Sequence, residues 1–407
     1  MNKRNINILG IKIDNFKKEE IYNIFLDFLN KEKANLITTI NAEIILKAQK
    51  DEEYFYILNS ASLSVLDGFG PKIAGFFMGY NIFRITGVDL NLMLLKIAQE
   101  KNIKLAILNK KNGLSTNNEI EKYLRENYQN LNYQIFNSAD SNLIKNINIF
   151  KPAILIANLG APDQEKFLFH NLNNVLSLKI AIGVGGSFDF LLGKIKRAPL
   201  IFRKLGLESF WRLINIFKFS KEKRKERLKR ISKALFVFPY KFFVWRFILP
   251  FLYRPNVACL LYKKENDKIK ILVVERSSEK NHWQIPQGGL DNLSAEEAGM
   301  KELREELNNN NFKFKAVFRN IHKYKFDLGV IRNRGGFYLK HMGYKGQKQD
   351  LMIAEFYGQD KDISVNFWDH RSWKWVNLED IESIIHKSRK EAMGKFINLF
   401  KEYISKI

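Results

Sequence analysis

Short apolar runs alternate with stretches of helical periodicity through the first part of the chain. Asn35 to Thr39 reads as a strand leading into a helix over Ala42 to Lys50, and Ser64 to Leu66 as a second strand ending at Asp67. Lys104 to Leu108 is a third strand, followed by a helix over Asn117 to Tyr128. Tyr133 to Phe136, Ala153 to Ala157 and Ile180 to Val184 continue the series. Strands separated by helices predict a mostly parallel sheet covered on both faces. The expectation is an α/β, Rossmann-like nucleotide-binding domain over residues 1–215.

The pattern changes near Lys218. Nine Lys/Arg residues fall between Lys218 and Lys233, opposed by Glu222 and Glu226. The run Ala234 to Tyr253 is aromatic and aliphatic but carries Lys241, Arg246, Pro239 and Pro250. Two charges and two prolines in about 20 residues argue against a simple transmembrane helix. A basic helix followed by Phe/Trp-rich segments suits the headgroup layer of an anionic membrane, so 216–254 is read as a membrane-associating linker. An interdomain helix packed on one domain is the alternative.

From Pro255 the pattern turns to strands. Val257 to Tyr262 and Ile269 to Val274 flank a polar turn at Lys264 to Lys268, and a helix follows over Ser294 to Leu307. Further strands are expected at Phe312 to Arg319, Gly336 to Lys340 and Leu351 to Tyr357, then helices at Leu378 to His386 and Arg389 to Tyr403. This predicts an α+β domain over 255–407, with a mixed sheet between helices.

Composition narrows the function classes. At 407 residues the chain exceeds what one core usually serves, and its 46% apolar content excludes extended disorder. The net charge of +24 favours anionic partners: nucleic acid, nucleotides or acidic lipid. Cys259 is the single cysteine, which excludes an internal disulfide and a cysteine-built metal site and fits a reducing compartment. It is expected in a buried strand. The N-terminus shows no signal-peptide pattern.

The richest chemical pattern is the segment Gly288-Gly289-Leu290 through Leu307. Ser294 and Glu297 have the spacing of a capping box. Glu302, Glu305 and Glu306 lie three and four positions apart, so they share one helix face or its edge. Clustered carboxylates call for a cation, and a hard one such as Mg²⁺ (or Mn²⁺) bridges carboxylate to phosphate. A solvated Glu/Lys face has the same spacing. Pro286-Gln287-Gly288-Gly289 together with Lys301-Glu302-Leu303-Arg304-Glu305-Glu306 resembles the Nudix box. His282-Trp283-Gln284-Ile285, Tyr344 to Gln349, Phe356-Tyr357-Gly358 and Trp373 to Val376 are similar to the branch of RNA pyrophosphohydrolases and dinucleoside-polyphosphate hydrolases. The resemblance implies Glu302, Glu305 and Glu306 as metal ligands, with Glu305 or Glu306 also positioning or deprotonating water. It implies close approach of phosphate at Gly288 and Gly289, with Lys301 where the family has arginine. Leu293 or Ser294 stands where a glutamate is usual, in a loop one residue short, and Asn308 replaces a glycine. Glu355 lies on the strand ahead of Phe356, and two readings stand for it: approach to the metal site, or an ordinary polar strand residue. Arg276 and Lys280 are candidates for substrate phosphates, with solvated loop residues as the alternative. His282, His322 and His341 are read as structural or exposed.

In the first domain, polar residues gather at expected strand ends: Thr38, Thr39, Asn41 and Glu43; Asp67 and Gly68; Arg84, Thr86, Gly87 and Asp89; Gly160 to Lys166; Gly183 to Ser187. Ligands of parallel sheets bind beyond those ends. Glycines let backbone amides approach a diphosphate, and a carboxylate accepts a proton. Gly183-x-Gly185-Gly186 is not the full dinucleotide fingerprint and also suits a structural turn. The ordered set Thr39 to Glu43, Leu66 to Gly70, Arg84 to Asp89, Gly160 to Lys166 and Gly183 to Asp189, with Lys196 to Pro199 and Leu207-Glu208-x-x-Trp211-Arg212, resembles the WecG/TagA/CpsF glycosyltransferase family over residues 8–215. Ala42 stands where proline is usual. The resemblance implies transfer of an N-acetylhexosamine, often N-acetylmannosamine, from a UDP-sugar to a polyprenyl-diphosphate-linked sugar acceptor at the cytoplasmic membrane face. Asp67 is the implied general base. Thr39, Asn41, Arg84 and Gln164 are implied pocket residues, and Gly183, Gly185 and Gly186 the nucleotide loop. Arg212 is assigned to an arginine-rich appendage that touches the membrane and completes the site. No cofactor is implied for transfer, and self-association into a homo-oligomer is expected.

The primary reading is a bifunctional cytoplasmic enzyme, peripherally bound to the membrane. Two others compete for the second domain. One is RNA 5′-pyrophosphohydrolase activity on triphosphorylated or capped RNA, with the basic segment on the backbone. The other is a non-catalytic nucleotide-sensing module that regulates the transferase.

Overall fold

The computed structural model describes residues 5–195, 199, 221–266, 268–326 and 343–406. Two compact units divide between Val244 and Trp245. The first begins with β1 (Asn5–Ile8) and β2 (Ile11–Asp14), an antiparallel hairpin whose turn residues Leu9 and Gly10 both have positive φ. Then follow α1 (Lys18–Asn30), β3 (Asn35–Ile40), α2 (Ala42–Ala48), α3 (Glu52–Ser60) and β4 (Leu63–Leu66). The chain continues through α4 (Phe69–Phe77), α5 (Gly87–Glu100), β5 (Leu105–Asn109), α6 (Asn117–Asn127), β6 (Tyr133–Asn137) and α7 (Leu143–Phe150). It closes with β7 (Ile154–Asn158), α8 (Asp163–Asn171), β8 (Ile180–Gly183) and α9 (Ser187–Leu191).

Six strands form one parallel sheet in the order β4-β3-β8-β7-β5-β6. Every residue of β3, β5 and β7 is buried, the signature of a sheet covered on both sides. Ile37, Val65, Ile107, Ile156 and Ile182 point to one face, under α1, α5 and α6. Leu36, Leu108, Leu155 and Ala181 point to the other, under α3, α7 and α8. The strand order reverses around β3 and β8, where open parallel sheets leave a crevice for ligands. The hairpin and α3 to α5 carry no equally plain periodic signal and were not expected individually.

Later in this unit come α10 (Lys221–Ser232), a wider π-helical turn over Lys233–Val237, and α11 (Phe238–Phe243). Phe238 and Phe242 are buried, and the Phe238 ring lies against Gly70 of α4. Phe236, Tyr240 and Phe243 face outward, as do Ile73, Phe76 and Phe77 of the neighbouring α4. Among the described residues, Lys233–Phe251 is long and apolar enough to cross a bilayer by length and composition, with Lys241 and Arg246 inside it.

The second unit is built on β9 (Tyr253–Glu265), β10 (Lys268–Arg276), β11 (Trp283–Gln284), β12 (Gln287–Gly289), β13 (Phe312–Lys325), β14 (Gly346–Phe356) and β15 (His370–Asn377). Its sheet is mixed: β14 runs parallel to β9 and the other pairings are antiparallel. Val257, Cys259, Leu261, Met352 and Ala354 pack under α12 (Ala295–Leu307). Ala258, Leu260, Leu351 and Ile353 pack on the opposite face under α14 (Lys390–Ile404), which follows the short α13 (Ile381–Ile384). Cys259 is buried on β9, as its apolar neighbours predicted. The helix expected over Leu378 to His386 shrinks to α13, because the His386 amide bonds the Trp283 carbonyl instead of continuing the helix. The strand expected at Gly336 to Lys340 lies outside the described residues.

Candidate active sites

In the first unit the sites follow from strand ends. Thr39, on the last turn of pleat in β3, is buried and its hydroxyl donates to the Gly183 carbonyl at 3.4 Å. Asn41 caps α2 by accepting the Ile44 amide at 3.0 Å, which is what its residue type favours at that position. Gly68 packs so closely on Asn41 that a Cβ there would stand 2.8 Å from the Asn41 Cβ. Asp67 follows β4 directly and is partly exposed. Its carboxylate accepts the Gly87 amide at 3.4 Å, at the N-terminus of the 14-residue α5, where the helix dipole favours negative charge. The Arg84 guanidinium donates to the Asp67 carbonyl, and Arg84 bridges to Leu66, so arginine and carboxylate leave the same strand end.

Gln164 lies in the first turn of α8 and is buried. Its Oε1 accepts the Gly160 amide at 3.1 Å and the Gly185 amide at 2.9 Å, and its Nε2 donates to Glu165 at 2.7 Å. Gly183 must be glycine here, because a Cβ would sit 2.5 Å from Gln164 Nε2. Gly185 has φ +53, and a Cβ on Gly186 would stand 2.7 Å from an Asp189 carboxylate oxygen in the first turn of α9. Gln164 was expected to line the pocket; its amide joins the loops of Gly160 and Gly185 there. Glu165 is fully buried, and burial pushes its carboxyl up to about 7 against the opposing bonds from Gln164, its own amide and Tyr54 and the charge of Lys47. Thr39, Asn41, Asp67, Arg84, Gln164, Gly183, Gly185 and Gly186 therefore all lie along one edge of the sheet. Arg212 and the surrounding tail lie outside the described residues. Glu165 and its partner Tyr54 had no assigned role in the sequence reading. Their signal is a partner 111 positions apart in the chain, which spacing does not display.

In the second unit, Ser294 caps α12 and Glu297 closes the capping box, as their spacing predicted. The Glu302 carboxylate fills the space against Gly288 where a side chain would otherwise be. The Gly288 carbonyl is fixed by Asn256 Nδ2 at 2.6 Å, and Asn256 by Gln349 at 3.0 Å. A Cβ on Gly289 would stand 2.8 Å from the Arg254 Cζ, so the second glycine admits a guanidinium. Glu306 is buried, with an oxygen 3.2 Å from His370 Nε2. Burial, then the Glu306 and Glu302 charges, push the Cys259 thiol well above its ordinary range. Glu305 is 57% exposed and 3.5 Å from Lys301, which marks it as the outer member of the three. Burial opposes the Lys301 charge, but Glu305 and Glu302 outweigh it and hold the ammonium above its usual value.

Of the two readings of Glu355, the structure supports the ordinary strand residue. Glu355 shares the face of Leu351 and Ile353, under α14, and pairs with Lys315 at 2.6 Å. It does not approach the carboxylate helix, because side chains on a strand alternate faces. Asn308 replaces glycine without strain: its φ of 48 is left-handed, which asparagine tolerates at a helix C-terminus. Lys280 is exposed and Arg276 buried at the end of β10. His370, 64 positions from Glu306 in the chain, was missed because no spacing rule connects them.

Among the described residues, Glu279, His282 and His386 bring possible ligand atoms within 4.8 Å of one another. The two imidazoles stack with centroids 4.0 Å apart and 19° between planes. Their in-plane lone pairs thus run side by side instead of meeting at one point. Burial lowers His282 to about 4, against the Glu279 hydrogen bond, and Arg276, His386 and Arg389 add to the lowering. Within the trio His282 is buried and its Nδ1 lies 2.8 Å from a Glu279 carboxylate oxygen.

The family model described as "Glycosyl transferase WecG/TagA/CpsF family" matches residues 6–247, and that of the NUDIX domain matches 252–400. The chain is 33% identical over 248 residues to N-acetylglucosaminyldiphosphoundecaprenol N-acetyl-beta-D-mannosaminyltransferase of Staphylococcus aureus strain MRSA252, and likewise to that of strain NCTC 8325 / PS 47. Each alignment covers 59% of this chain and 92% of the relative. Among solved structures, it is similar to a C. elegans Ap4A hydrolase binary complex (19% identity, 38% of this chain and 99% of that chain, TM-score 0.29). It is also similar to the E. coli dihydroneopterin triphosphate pyrophosphohydrolase (15% identity, 36% of this chain and 97% of that chain, TM-score 0.26).

Proposed function

Because this chain belongs to the WecG/TagA/CpsF glycosyltransferase family and carries a Nudix hydrolase domain behind that region, we propose that it couples two activities in one cytoplasmic, membrane-bound enzyme. A UDP-sugar transferase and a Nudix pyrophosphohydrolase are both present. The first transfers an N-acetylhexosamine, N-acetylmannosamine by likeness to the staphylococcal relatives, to a polyprenyl-diphosphate-linked sugar. The observation that carries this reading is the Asp67 carboxylate at the C-terminal ends of the strands, bonded to the Gly87 amide, with Gly87 itself packed against Val184 and Thr39. Asp67 takes the proton from the acceptor hydroxyl as that oxygen bonds to the anomeric carbon. The bond to the UDP oxygen breaks from the opposite side, and the configuration inverts. Gly183, Gly185 and Gly186 present backbone to the nucleotide, Arg84 holds the Asp67 main chain, and Thr39 and Asn41 fix the loops on either side. Arg212 is assigned to the same site.

The membrane reading is supported by the basic α10 and by the aromatic surface of α11 and α4. Lys241 is lowered by burial and then by the Lys50 charge, and two cations held together favour an anionic surface. Residues 216–254 are assigned to this contact, within a three-part organisation of 1–215, 216–254 and 255–407. A homo-oligomer is part of the same proposal.

For the second unit, Glu302 and Glu306 are assigned to a divalent ion, with Glu305 for water. Their carboxylates are hard oxygen donors from one helix, Glu302 against Gly288 and Glu306 buried, and that donor chemistry fits Mg²⁺ or Mn²⁺. Such an ion, when bound, offsets charge on the diphosphate and acidifies water. Gly288, Gly289 and Lys301 receive the substrate phosphates. A nucleoside diphosphate-linked compound is the substrate class favoured. Triphosphorylated RNA and binding without turnover are the readings it is tested against.

One panel tests both halves. UDP-sugars are offered with a polyprenyl-diphosphate-sugar acceptor, and nucleotides and 5′-triphosphate RNA with Mg²⁺. Asp67→Asn is expected to lower transfer by about 10³-fold with UDP affinity retained. Undiminished transfer in that variant removes Asp67 as the base. Nucleotide binding without metal-dependent turnover turns the second unit into a sensor.

A further inference from the structure

Glu165 has no part in the proposed reaction, yet it is a carboxylate at 0% exposure on the third position of α8. A buried carboxylate is costly unless both its oxygens are satisfied. Here Oε1 accepts from Gln164 Nε2 at 2.7 Å and Oε2 from the Tyr54 hydroxyl at 3.1 Å. Gln164 in turn ties the Gly160 amide at 3.1 Å to the Gly185 amide at 2.9 Å through its single Oε1. An amide accepts on one side and donates on the other. Flipped, Gln164 would aim its NH₂ at two N–H groups and its oxygen at a carboxylate.

We infer that Glu165, held by Tyr54, is a positioning residue of the nucleotide site. It fixes the Gln164 amide in the one orientation that clamps Gly160 to Gly185, and so shapes the loop that receives the diphosphate of a UDP-sugar. The inference rests on the assignment of Gly183–Gly186 to the nucleotide. Glu165 touches no substrate; it acts through Gln164 and the backbone that Gln164 holds. Gly183 fits this arrangement, since the Gln164 side chain occupies the place of its missing Cβ. Lys47 supports the Gly160 side of this clamp, donating at 2.6 Å to the Ala161 carbonyl in the turn between β7 and α8.

The test is titration of the full chain with UDP, alongside steady-state kinetics with the donor sugar, for the parent, Glu165→Ala, Glu165→Gln and Tyr54→Phe. Glutamine keeps an acceptor for Gln164, whereas alanine removes it. The expected result is a rise of about tenfold in the Kd for UDP and the KM for donor in Glu165→Ala, and of a few-fold in Tyr54→Phe. Glu165→Gln is expected to stay within about twofold of the parent, and kcat to change little throughout. A purely structural role would reduce the folded fraction seen by circular dichroism without moving the Kd of what remains folded. A parent-like Kd in folded Glu165→Ala overturns the inference. Where that variant does not fold, a parent-like Kd in Tyr54→Phe overturns it. A parent that does not bind UDP overturns the nucleotide assignment itself, which is a different result from equal binding by parent and variants.

Discussion

Gly288→Ala puts the metal assignment at risk with one methyl group. In the structure the Glu302 carboxylate occupies the place where a Cβ on Gly288 would stand. The two cannot coexist, and the yielding partner is the far end of a flexible side chain, so the strand is retained and Glu302 is driven aside. Ordinary contact between a methyl and a carboxylate requires a retreat of more than about 1 Å, and a misplacement of that size in a reacting constellation costs on the order of 10²-fold. The expected loss of hydrolysis is therefore about 10²-fold, or roughly 2.7 kcal/mol of barrier. The stability change stays within about 1–3 kcal/mol, as for overpacking generally. The assay follows Mg²⁺-dependent hydrolysis of whichever substrate of the panel the parent turns over, at rising Mg²⁺. Sugar transfer by the same preparation measures how much enzyme is intact. A shifted Mg²⁺ midpoint with transfer retained supports Glu302 as a ligand. Parent-like hydrolysis with an unchanged Mg²⁺ midpoint refutes the placement of the ion at Glu302, because the carboxylate would have moved without consequence.

Two further outcomes follow from burial. Glu165 has a folded value of about 7, above the ordinary 4.5, so it binds more protons folded than unfolded between those values. Its contribution to stability is full below the unfolded value and is lost as pH rises through about 7, by an amount on the order of 3 kcal/mol. Thermal melts between pH 5 and 8 are expected to show a drop for the parent that shrinks in Glu165→Gln, and equal slopes would contradict the burial of an ionisable group there. On α4, Phe76 is 75% and Phe77 64% exposed beside the aromatic face of α11. With part of the roughly 1.5–3 kcal/mol available to each buried ring, Phe76→Ser with Phe77→Ser is expected to weaken cosedimentation with anionic vesicles by tenfold or more. Unchanged cosedimentation would exclude α4 from the membrane contact.

How far the sequence could be read depended on whether a feature was local. The parallel strands were legible because burial on both faces favours short apolar runs, as in Ile154 to Ala157 of β7, although β3 is buried at all six positions with Asn35, Thr38 and Thr39 among them. The hairpin depends on Leu9 and Gly10 adopting positive φ, which no apolar period announces. Residues at strand ends were legible as a set, because the fold dictates where ligands gather. Their individual tasks were not. Gln164 reads as a pocket amide, but that its oxygen accepts from Gly185, 21 positions later, is not displayed by any spacing. Glu355 is the opposite case: alternation along β14 already assigned it to the face of Leu351 and Ile353, away from Met352 and Ala354.

The three carboxylates of α12 show how far helix geometry alone divides roles. At about 100° per residue, positions four apart differ by about 40° around the axis and adjacent positions by about 100°. Glu302 and Glu306 therefore look nearly the same way, while Glu305 stands about 60° from the first and about 100° from the second, at the edge of their face. The structure follows that division: Glu302 lies against Gly288, Glu306 is buried beside His370, and Glu305 reaches solvent next to Lys301. An ion shared by the inner pair would leave Glu305 the one of the three open to water. It follows that replacing the inner glutamates should abolish the Mg²⁺ dependence itself, whereas replacing Glu305 should lower turnover while the Mg²⁺ midpoint holds. The two effects are separable in a single metal titration, and a common response of all three variants would contradict a division set by the helix.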